Sequence, residues 1–359
     1  MTRLEQQIRT VGGFRALGLH AGLKKDNKLD FALVVADRDC TVAGVFTTNQ
    51  VKAAPVLLGM ERVAARPAGI RAVAINTVSA NACTGTTGMS NARKTARLVA
   101  DGFGIDERSV LVMSTGVIGK QLPMTGIENG VTQSVQRIIN QSPHKWHDAA
   151  EAIMTTDTYP KYASVTVQNA GGEYTIAGIT KGAGMIAPNM ATTLGLIVTD
   201  AKMTPDQAQT ALSEGVRQSY NRITIDGDTS TNDTVLLLAS GASGVDLRGD
   251  GDRMQFQRAL NALLIYLAKE VVRNGEGVTK LITIDVIGAA TEHDAERIAQ
   301  TIANSVLTKT ALFGNDANWG RIIAAAGRAG VPFDPDTARL WFAPGEMAPD
   351  PDQHADNGL

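Results

Sequence analysis

Thr192 is the residue of this chain best placed to do chemistry. It follows Ala191 in the stretch Lys181-Gly-Ala-Gly-Met-Ile-Ala-Pro-Asn-Met-Ala-Thr-Thr-Leu-Gly-Leu-Ile-Val-Thr-Asp200. The first half, rich in glycine and broken by a proline, reads as a loop. Leu194 to Val198 is an apolar run that reads as a buried strand. A threonine at that junction has a fixed hydroxyl. If the bond before it is cut, the residue also presents a free α-amine, whose reference pKa of about 8 leaves a useful unprotonated fraction near neutrality. One residue then supplies nucleophile and base. The plainer alternative is a threonine pair serving as turn bond and β-branched strand start.

A covalent acyl step needs a second feature, donors for the oxygen that becomes negative. Such donors contribute about 3 kcal/mol each. Val110–Met113 reads as a strand that runs into Ser114-Thr-Gly-Val-Ile-Gly119. There the Thr115 hydroxyl and the Gly116 N–H are candidates, and a simple turn is the alternative.

The string Lys181-Gly-x-Gly-Met-Ile-x-Pro-Asn-Met-Ala-Thr192 closely resembles the self-cleavage segment of the glutamate N-acetyltransferase family, also called ornithine acetyltransferases. Val45-Phe-Thr-Thr-Asn-Gln-Val-Lys-Ala-Ala-Pro55, the Asn221–Thr234 stretch and Phe313–Gly327 are similar to further segments of that family. The resemblance runs from about residue 10 to about 330. It implies a cut between Ala191 and Thr192, giving an α chain (1–191) and a β chain (192–359). It also implies an oxyanion pair in Thr115 and Gly116, and substrate contacts from Thr158, Lys181, Thr192 and Glu276. The implied reaction moves acetyl from N-acetylornithine to glutamate through an acetyl-threonine. No dissociable cofactor and no metal are implied, although some members accept acetyl-CoA as donor. The implied assembly has two α and two β chains. Two other readings stay open: a self-cleaving hydrolase or aminopeptidase that releases the acyl group to water, and an inactive binding relative.

Two departures stand against this pattern. The family's loop begins Asn-x-Gly-Asn-Ala-Asn, whereas here Val78 and Ser79 occupy the glycine and asparagine positions. A β-branched residue does not readily take φ > 0, so the resemblance does not carry over the loop's geometry. The family's last residues also supply an asparagine and a serine or threonine to the substrate, and no positions here match them. The stretch from about 343, rich in Pro, Asp and Gly, reads as disordered.

The elements that must hold these groups read as a layered α/β sandwich of sheets and helices. Phe31–Ala36 and Thr41–Phe46 suggest two strands joined at Asp37-Arg38-Asp39 as a hairpin. Ile70–Ile75, Ala163–Gln168, Glu173–Ile179, Val235–Leu238 and Leu281–Ile287 read as further strands. Helices are expected over 91–103 with Gly104 as stop, 144–154, 258–272 and 295–307. Another starts at the capping box Thr204-Pro-Asp-Gln207 and runs to about Tyr220. Thr155-Thr-Asp-Thr-Tyr-Pro-Lys161 reads by composition as a solvated loop. Asp226, Asp228 and Asp233 lie among hydroxyls and glycine, but not at calcium-loop spacing; a hydrogen-bonded loop shaping the site is expected. By composition alone Glu276 is a glycine-flanked surface carboxylate.

Bulk properties remove several classes. Of 359 residues 43% are apolar and the net charge is −2, so there is material for a core and no basic footprint for nucleic acid. The aromatic share of 4% argues against a base-stacking platform. The loop after Ile75 lacks the Gly-Lys-Ser/Thr ending of a phosphate loop. Cys40 and Cys83 form no disulfide or metal pattern and read as free, buried thiols. The polar N-terminus and the lack of a long apolar run point to a cytoplasmic protein with no membrane span.

Overall fold

The computed structural model describes residues 2–8, 10–65, 67–141, 145–187 and 193–343. The chain divides into two compact units, Met1–Glu276 and Gly277–Leu359.

In the first unit β1 (Thr2–Glu5), β2 (Phe14–Leu19) and β3 (Phe31–Phe46) precede α1 (Ala54–Ala65), β4 (Ala68–Asn76), α2 (Gly85–Phe103) and β5 (Val110–Ser114). Then come α3 (Met124–Ile139), α4 (Trp146–Ala152), β6 (Lys161–Asn169), β7 (Gly172–Lys181) and β8 (Leu194–Thr199). Finally α5 (Pro205–Arg217), β9 (Thr234–Ala239) and α6 (Asp250–Arg273) complete it. The strands join in one nine-stranded sheet of order β1-β6-β7-β8-β9-β3-β4-β5, with β2 also on β3. Most neighbours are antiparallel, but β8–β9 and β4–β5 are parallel.

Period-two alternation assigns the faces. Val235 and Leu237 of β9 and Ile197 of β8 share a core with Leu260, Leu263, Leu264, Leu267 and Val271 of α6. Leu236 and Leu238, with Leu194, Leu196 and Val198, join Val73, Ile75, Leu111 and Met113 from β4 and β5 in a second core. On the far side of β4 and β5, Ala72, Ala74 and Val112 meet Ala92, Ala96 and Val99 of α2 and Ile127 and Val131 of α3. The sheet thus doubles over on itself, and helices cover both outer faces: the layered α/β sandwich expected. Each buried Leu, Ile or Val contributes about 1.5–3 kcal/mol by leaving water.

The doubling happens on β3, which corrects the hairpin reading. Phe31–Phe46 is one strand of 16 residues. Asp37, Arg38 and Asp39 are its exposed midpoint, where pairing with β4 jumps from Val35 to Cys40. The first half lies against β2 and the second against β9. Polar residues that look like a turn are an irregularity that bends a continuous strand.

Helix starts differ from expectation. Helix α2 begins at Gly85, six residues early, and ends at left-handed Gly104 (φ 64°) as expected. The Thr204 capping box is formed. Cys40 is buried, but Cys83 is exposed, correcting the buried reading. It occupies a left-handed position (φ 56°) in the loop between β4 and α2.

The second unit contains α7 (Glu292–Ala303), α8 (Val306–Phe313) and α9 (Trp319–Gly327). Ile298 and Ile302 pack on Ile322, Ala325 and Ala326. The helix expected over 295–307 is two: Ser305 caps α8 by accepting from the Thr308 N–H, so the chain breaks after Ala303. Leu281–Ile287 forms no paired strand among the described residues, and Ile287 is 74% exposed. Alternation alone does not make a strand when no edge accepts its N–H groups. The tail expectation falls on residues 344–359, outside those described. Among the described residues no helix is long and apolar enough to cross a membrane.

Candidate active site

The site lies at one end of four neighbouring strands. Strand β7 ends on Lys181, paired with Leu194 at the start of β8. Leu194 is level with Thr234 at the start of parallel β9, and Thr234 with Phe46 at the end of β3. The turns that leave these ends carry the chemistry.

The first is the loop after β5. Thr115 donates its N–H to the Asn76 carbonyl at 3.0 Å, which fixes it beside the end of β4. Gly116 has φ +137°, and a Cβ there would stand 2.2 Å from the Val78 carbonyl carbon. Only glycine fits that approach. Among the described residues no carbonyl accepts from the Gly116 N–H. Val78 itself sits at φ +76°, a conformation its β-branched side chain disfavours. Its surroundings hold it there. The Val117 N–H donates to Val78 O at 3.0 Å, the Ala80 N–H to Val117 O at 3.1 Å, and the Ser79 hydroxyl to Lys120 O at 2.7 Å. Valine at this position therefore does not prevent the left-handed turn.

Lys181 is the second component. It is 3% exposed, and its Nζ donates to Thr115 Oγ1 at 3.3 Å. With that oxygen accepting from lysine, the threonine's own proton is left to donate outward. Burial lowers the Lys181 pKa and nearby Lys161 adds to this, while Asp157, Asp233 and Glu276 oppose it.

Asp157 and Lys161 belong to the string that composition assigned to solvent, yet both are buried. Lys161 Nζ donates to Asp157 Oδ1 at 2.6 Å and to Asn274 Oδ1 at 2.8 Å. Asp157 also accepts from the N–H groups of Gly182 (2.8 Å) and Thr155 (2.9 Å). Burial would raise its pKa, but Lys181, Lys161 and the Gly182 N–H bring it down to about 2. The Lys161 pKa is lowered by burial against the pull of Asp157. Asn274 then holds Thr158: its Oδ1 accepts from the Thr158 N–H at 2.9 Å, and its Nδ2 donates to the Thr158 hydroxyl. Thr158 is exposed and linked to Lys181 through this network.

Glu276 is exposed, and its N–H donates to Ala183 O at 2.8 Å. A Cβ on Gly184 would stand 2.9 Å from Glu276 Oε1, so the missing side chain at 184 makes room for this carboxylate. Four of the expected positions, Thr115, Lys181, Thr158 and Glu276, therefore surround the turn after β7. Gly116 follows directly on Thr115.

Ala191 and Thr192 lie outside the described residues, but both flanks of their segment are held by one loop. Asp226 accepts from the N–H groups of Met185 (2.6 Å) and Ile186 (2.9 Å). Asp233 Oδ1 accepts from the Thr193 N–H at 2.8 Å. Asn232 Nδ2 donates to Ala80 O (2.6 Å) and Ser114 O (2.8 Å), tying this loop to the turn that carries Thr115. These aspartates act as backbone acceptors, as expected for a hydrogen-bonded loop. Among the described residues no group of three or more His, Cys, Asp or Glu could hold a metal.

Such a geometry brings a hydroxyl donor, a free N–H and a buried lysine together beside the turn after β7. The ArgJ family model matches residues 15–357. The chain belongs to the ArgJ family. The arginine biosynthesis bifunctional protein ArgJ of Geobacter sulfurreducens is 48% identical over 334 residues, 92% of this chain and 84% of that protein. The mitochondrial ArgJ of Fusarium vanettenii is 48% identical over 326 residues, 88% and 72% of the two chains. Among solved structures, ornithine acetyltransferase complexed with ornithine from Mycobacterium tuberculosis matches at 35% identity and TM-score 0.47, covering 54% of this chain and all of that one.

Sequence reasoning missed Asp157, Lys161, Asn274 and the separate grips of Asp226 and Asp233 within this ArgJ site. The available signal was Asp157 four residues before Lys161, an opposite-charge pair inside a string otherwise read as solvent-facing.

Proposed function

We propose that this chain is a glutamate N-acetyltransferase of arginine biosynthesis that moves acetyl from N-acetylornithine to glutamate. The observation that carries the reading is the loop of Asp226 and Asp233, which grips both flanks of the Ala191–Thr192 segment beside Lys181 and Thr115.

In the precursor the Thr192 hydroxyl attacks the Ala191 carbonyl, the peptide C–N bond breaks, and an ester forms. Water opens that ester to give the Ala191 carboxylate and a free Thr192 amine. The α chain (1–191) and β chain (192–359) stay together because β7 and β8, one from each, are paired neighbours. In the mature enzyme Thr192 attacks the acetyl carbonyl of N-acetylornithine and its amine takes the hydroxyl proton. Thr115 Oγ1–H and Gly116 N–H face the oxyanion. Collapse breaks the amide C–N bond, the amine proton passes to ornithine, and acetyl stays on Thr192. Glutamate's amine then attacks this ester and passes a proton to the Thr192 amine; the ester C–O bond breaks, the Thr192 oxygen regains that proton, and acetylglutamate leaves. Lys181 and Thr158 bind the substrate's carboxylate or acetyl group, and Glu276 its amine.

Acetyl-CoA fits the same chemistry as a second donor, and the reaction needs no cofactor. Two α and two β chains in the cytoplasm are the assembly and place we assign.

The test is intact mass and product analysis of wild type and Thr192→Ala. Wild type is expected as two chains, the second beginning Thr-Thr-Leu-Gly, with acetylglutamate formed in step with ornithine. An uncleaved wild type that still transfers acetyl would overturn the reading. Acetate release independent of glutamate would show a hydrolase instead.

A further inference from the structure

We propose that Asn274 is a positioning residue for acetyl transfer: its side-chain amide fixes the Thr158 hydroxyl as a donor, so that Thr158 donates to an oxygen of the substrate, carboxylate or acetyl carbonyl. This rests on the reading of Thr158 as a substrate contact given above.

Asn274 follows the last turn of α6, where an asparagine ordinarily does no more than end a helix. Here the residue is buried and its side chain bonds to other elements. Its Oδ1 accepts from the Thr158 N–H at 2.9 Å and from Lys161 Nζ at 2.8 Å, and its Nδ2 donates to Thr158 Oγ1. The neighbours settle which end of the amide is oxygen. A backbone N–H can only donate. Lys161 Nζ has three acceptors around it, Asp157 Oδ1 (2.6 Å), Asn274 Oδ1 (2.8 Å) and Tyr159 O (3.4 Å), so it too acts as a donor. An amide turned the other way would set its NH2 against both. The NH2 therefore faces Thr158 Oγ1. That oxygen accepts, and its own proton is left to give. Among the described residues no group takes that proton. One amide thus grips Thr158 at backbone and hydroxyl together, and sets the sense of the hydroxyl before substrate arrives.

The grip extends to the turn after β7. Lys161 is bound to Asp157, and Asp157 accepts from the Gly182 N–H at 2.8 Å in that turn. Two residues beyond Asn274, the Glu276 N–H donates to Ala183 O at 2.8 Å in the same turn. The end of α6 therefore ties the loop of Thr158 to the turn that leaves Lys181. A donor held in place beforehand spares binding the cost of ordering it.

Asn274→Asp is the test, made in the full chain beside Thr158→Val and the double variant, with kcat and KM for N-acetylornithine as the readout. Aspartate keeps the size and the acceptor for the Thr158 N–H and Lys161, so folding is expected to survive. A carboxylate has no proton to donate, however, and the Thr158 hydroxyl turns its own proton onto it. In Asn274→Asp kcat/KM is expected to fall at least about tenfold, the loss of one hydrogen bond to a charged oxygen. Thr158→Val should lose as much, and the double variant little more. An asparagine with a merely structural role would tolerate the swap, so wild-type kcat/KM in Asn274→Asp overturns the proposal. So do losses that multiply in the double variant, because the new charge then acts on substrate without the hydroxyl. If Asn274→Asp does not fold, Asn274→Ala decides in the same cycle: a loss absorbed by Thr158→Val is expected, and a loss that multiplies with it overturns the proposal. Thr158→Val with wild-type kcat/KM would remove the underlying reading of Thr158 and the proposal with it, a result distinct from the others.

Discussion

Lys181 Nζ and Thr115 Oγ1 lie 3.3 Å apart although 66 residues separate them. A buried ammonium on a threonine oxygen polarises the O–H, so the threonine becomes a stronger donor toward a forming oxyanion. The two should therefore act as a unit. Thr115→Val alone is expected to lower kcat by about 10²-fold. Lys181→Met should lower kcat/KM by at least as much. The double variant should be little worse than the poorer single one, because both delete one function. Steady-state kinetics on the four proteins measures this, and strict additivity would show that lysine acts on substrate without the hydroxyl.

Asp157 gives a pH dependence whose sign follows from its environment. Its folded pKa is about 2, lowered from 3.8. A depressed carboxyl stabilises the fold above its unfolded pKa, and that stabilisation fades as pH falls from about 4 toward 2. Asp157→Asn leaves Lys161 and Lys181 without their counter-charge in a buried place. A loss of about 3–5 kcal/mol is expected at pH 7. Urea melts should show a wide gap between variant and wild type at neutral pH. At pH 2–3 the gap should narrow, because the wild type then loses the same ionised group.

Which parts of this site could be read from sequence follows from range. The Lys181–Asp200 string is short and contiguous, so its resemblance to a family segment was legible, whereas the Thr115-Gly116 pair taken alone reads equally as a turn and received its role only through that resemblance. The Asp157–Lys161–Asn274 network was not visible because Asn274 is 113 residues from Lys161, at the end of α6. Nothing local distinguishes that asparagine from any helix-terminal one. Helix and strand cores were legible from periodicity, as in Leu260, Leu263, Leu264 and Leu267. The bend in β3 was not. Asp37-Arg38-Asp39 carries hairpin chemistry, and only pairing with β2 and β9 on successive halves keeps the chain running on as one bent strand instead of reversing. Leu281–Ile287 failed the other way, with a strand pattern and no paired edge.

Val78 holds a left-handed backbone (φ +76°) that costs a β-branched residue on the order of 1–3 kcal/mol. Glycine adopts it freely but carries an entropy penalty of roughly 0.5–1 kcal/mol. Val78→Gly is therefore expected to be neutral or to stabilise by about 1 kcal/mol, read as a small rise in melting temperature with kcat unchanged. Gly116→Ala should behave oppositely. Its Cβ would meet the Val78 carbonyl carbon at 2.2 Å, so the turn must shift and the Gly116 N–H with it. A kcat loss of about 10²-fold is expected. If Gly116→Ala retains full turnover, this N–H is not an oxyanion donor.

If the chain is cut between Ala191 and Thr192 as proposed above, Asp226 separates positioning of that segment from stability. Its carboxylate is exposed, so removing it exposes no apolar core and should leave the melting temperature nearly unchanged. Yet it fixes the Met185 and Ile186 N–H groups, and Ile186 O in turn accepts from the Ile225 N–H at 2.7 Å. Without it the upstream flank of the segment is free to move while Asp233 still holds Thr193. Self-cleavage requires the Thr192 hydroxyl and the Ala191 carbonyl in near-attack geometry, which small displacements degrade steeply. Asp226→Ala should therefore slow cleavage by about tenfold or more, with Asp226→Asn intermediate because one acceptor survives. A time course of intact mass on freshly made precursor measures this. Once cut, the two flanks are no longer joined, so the mature Asp226→Ala enzyme should recover most of its acetyl transfer. Equal damage to both steps would mean that Asp226 shapes the substrate pocket rather than the precursor's reactive bond.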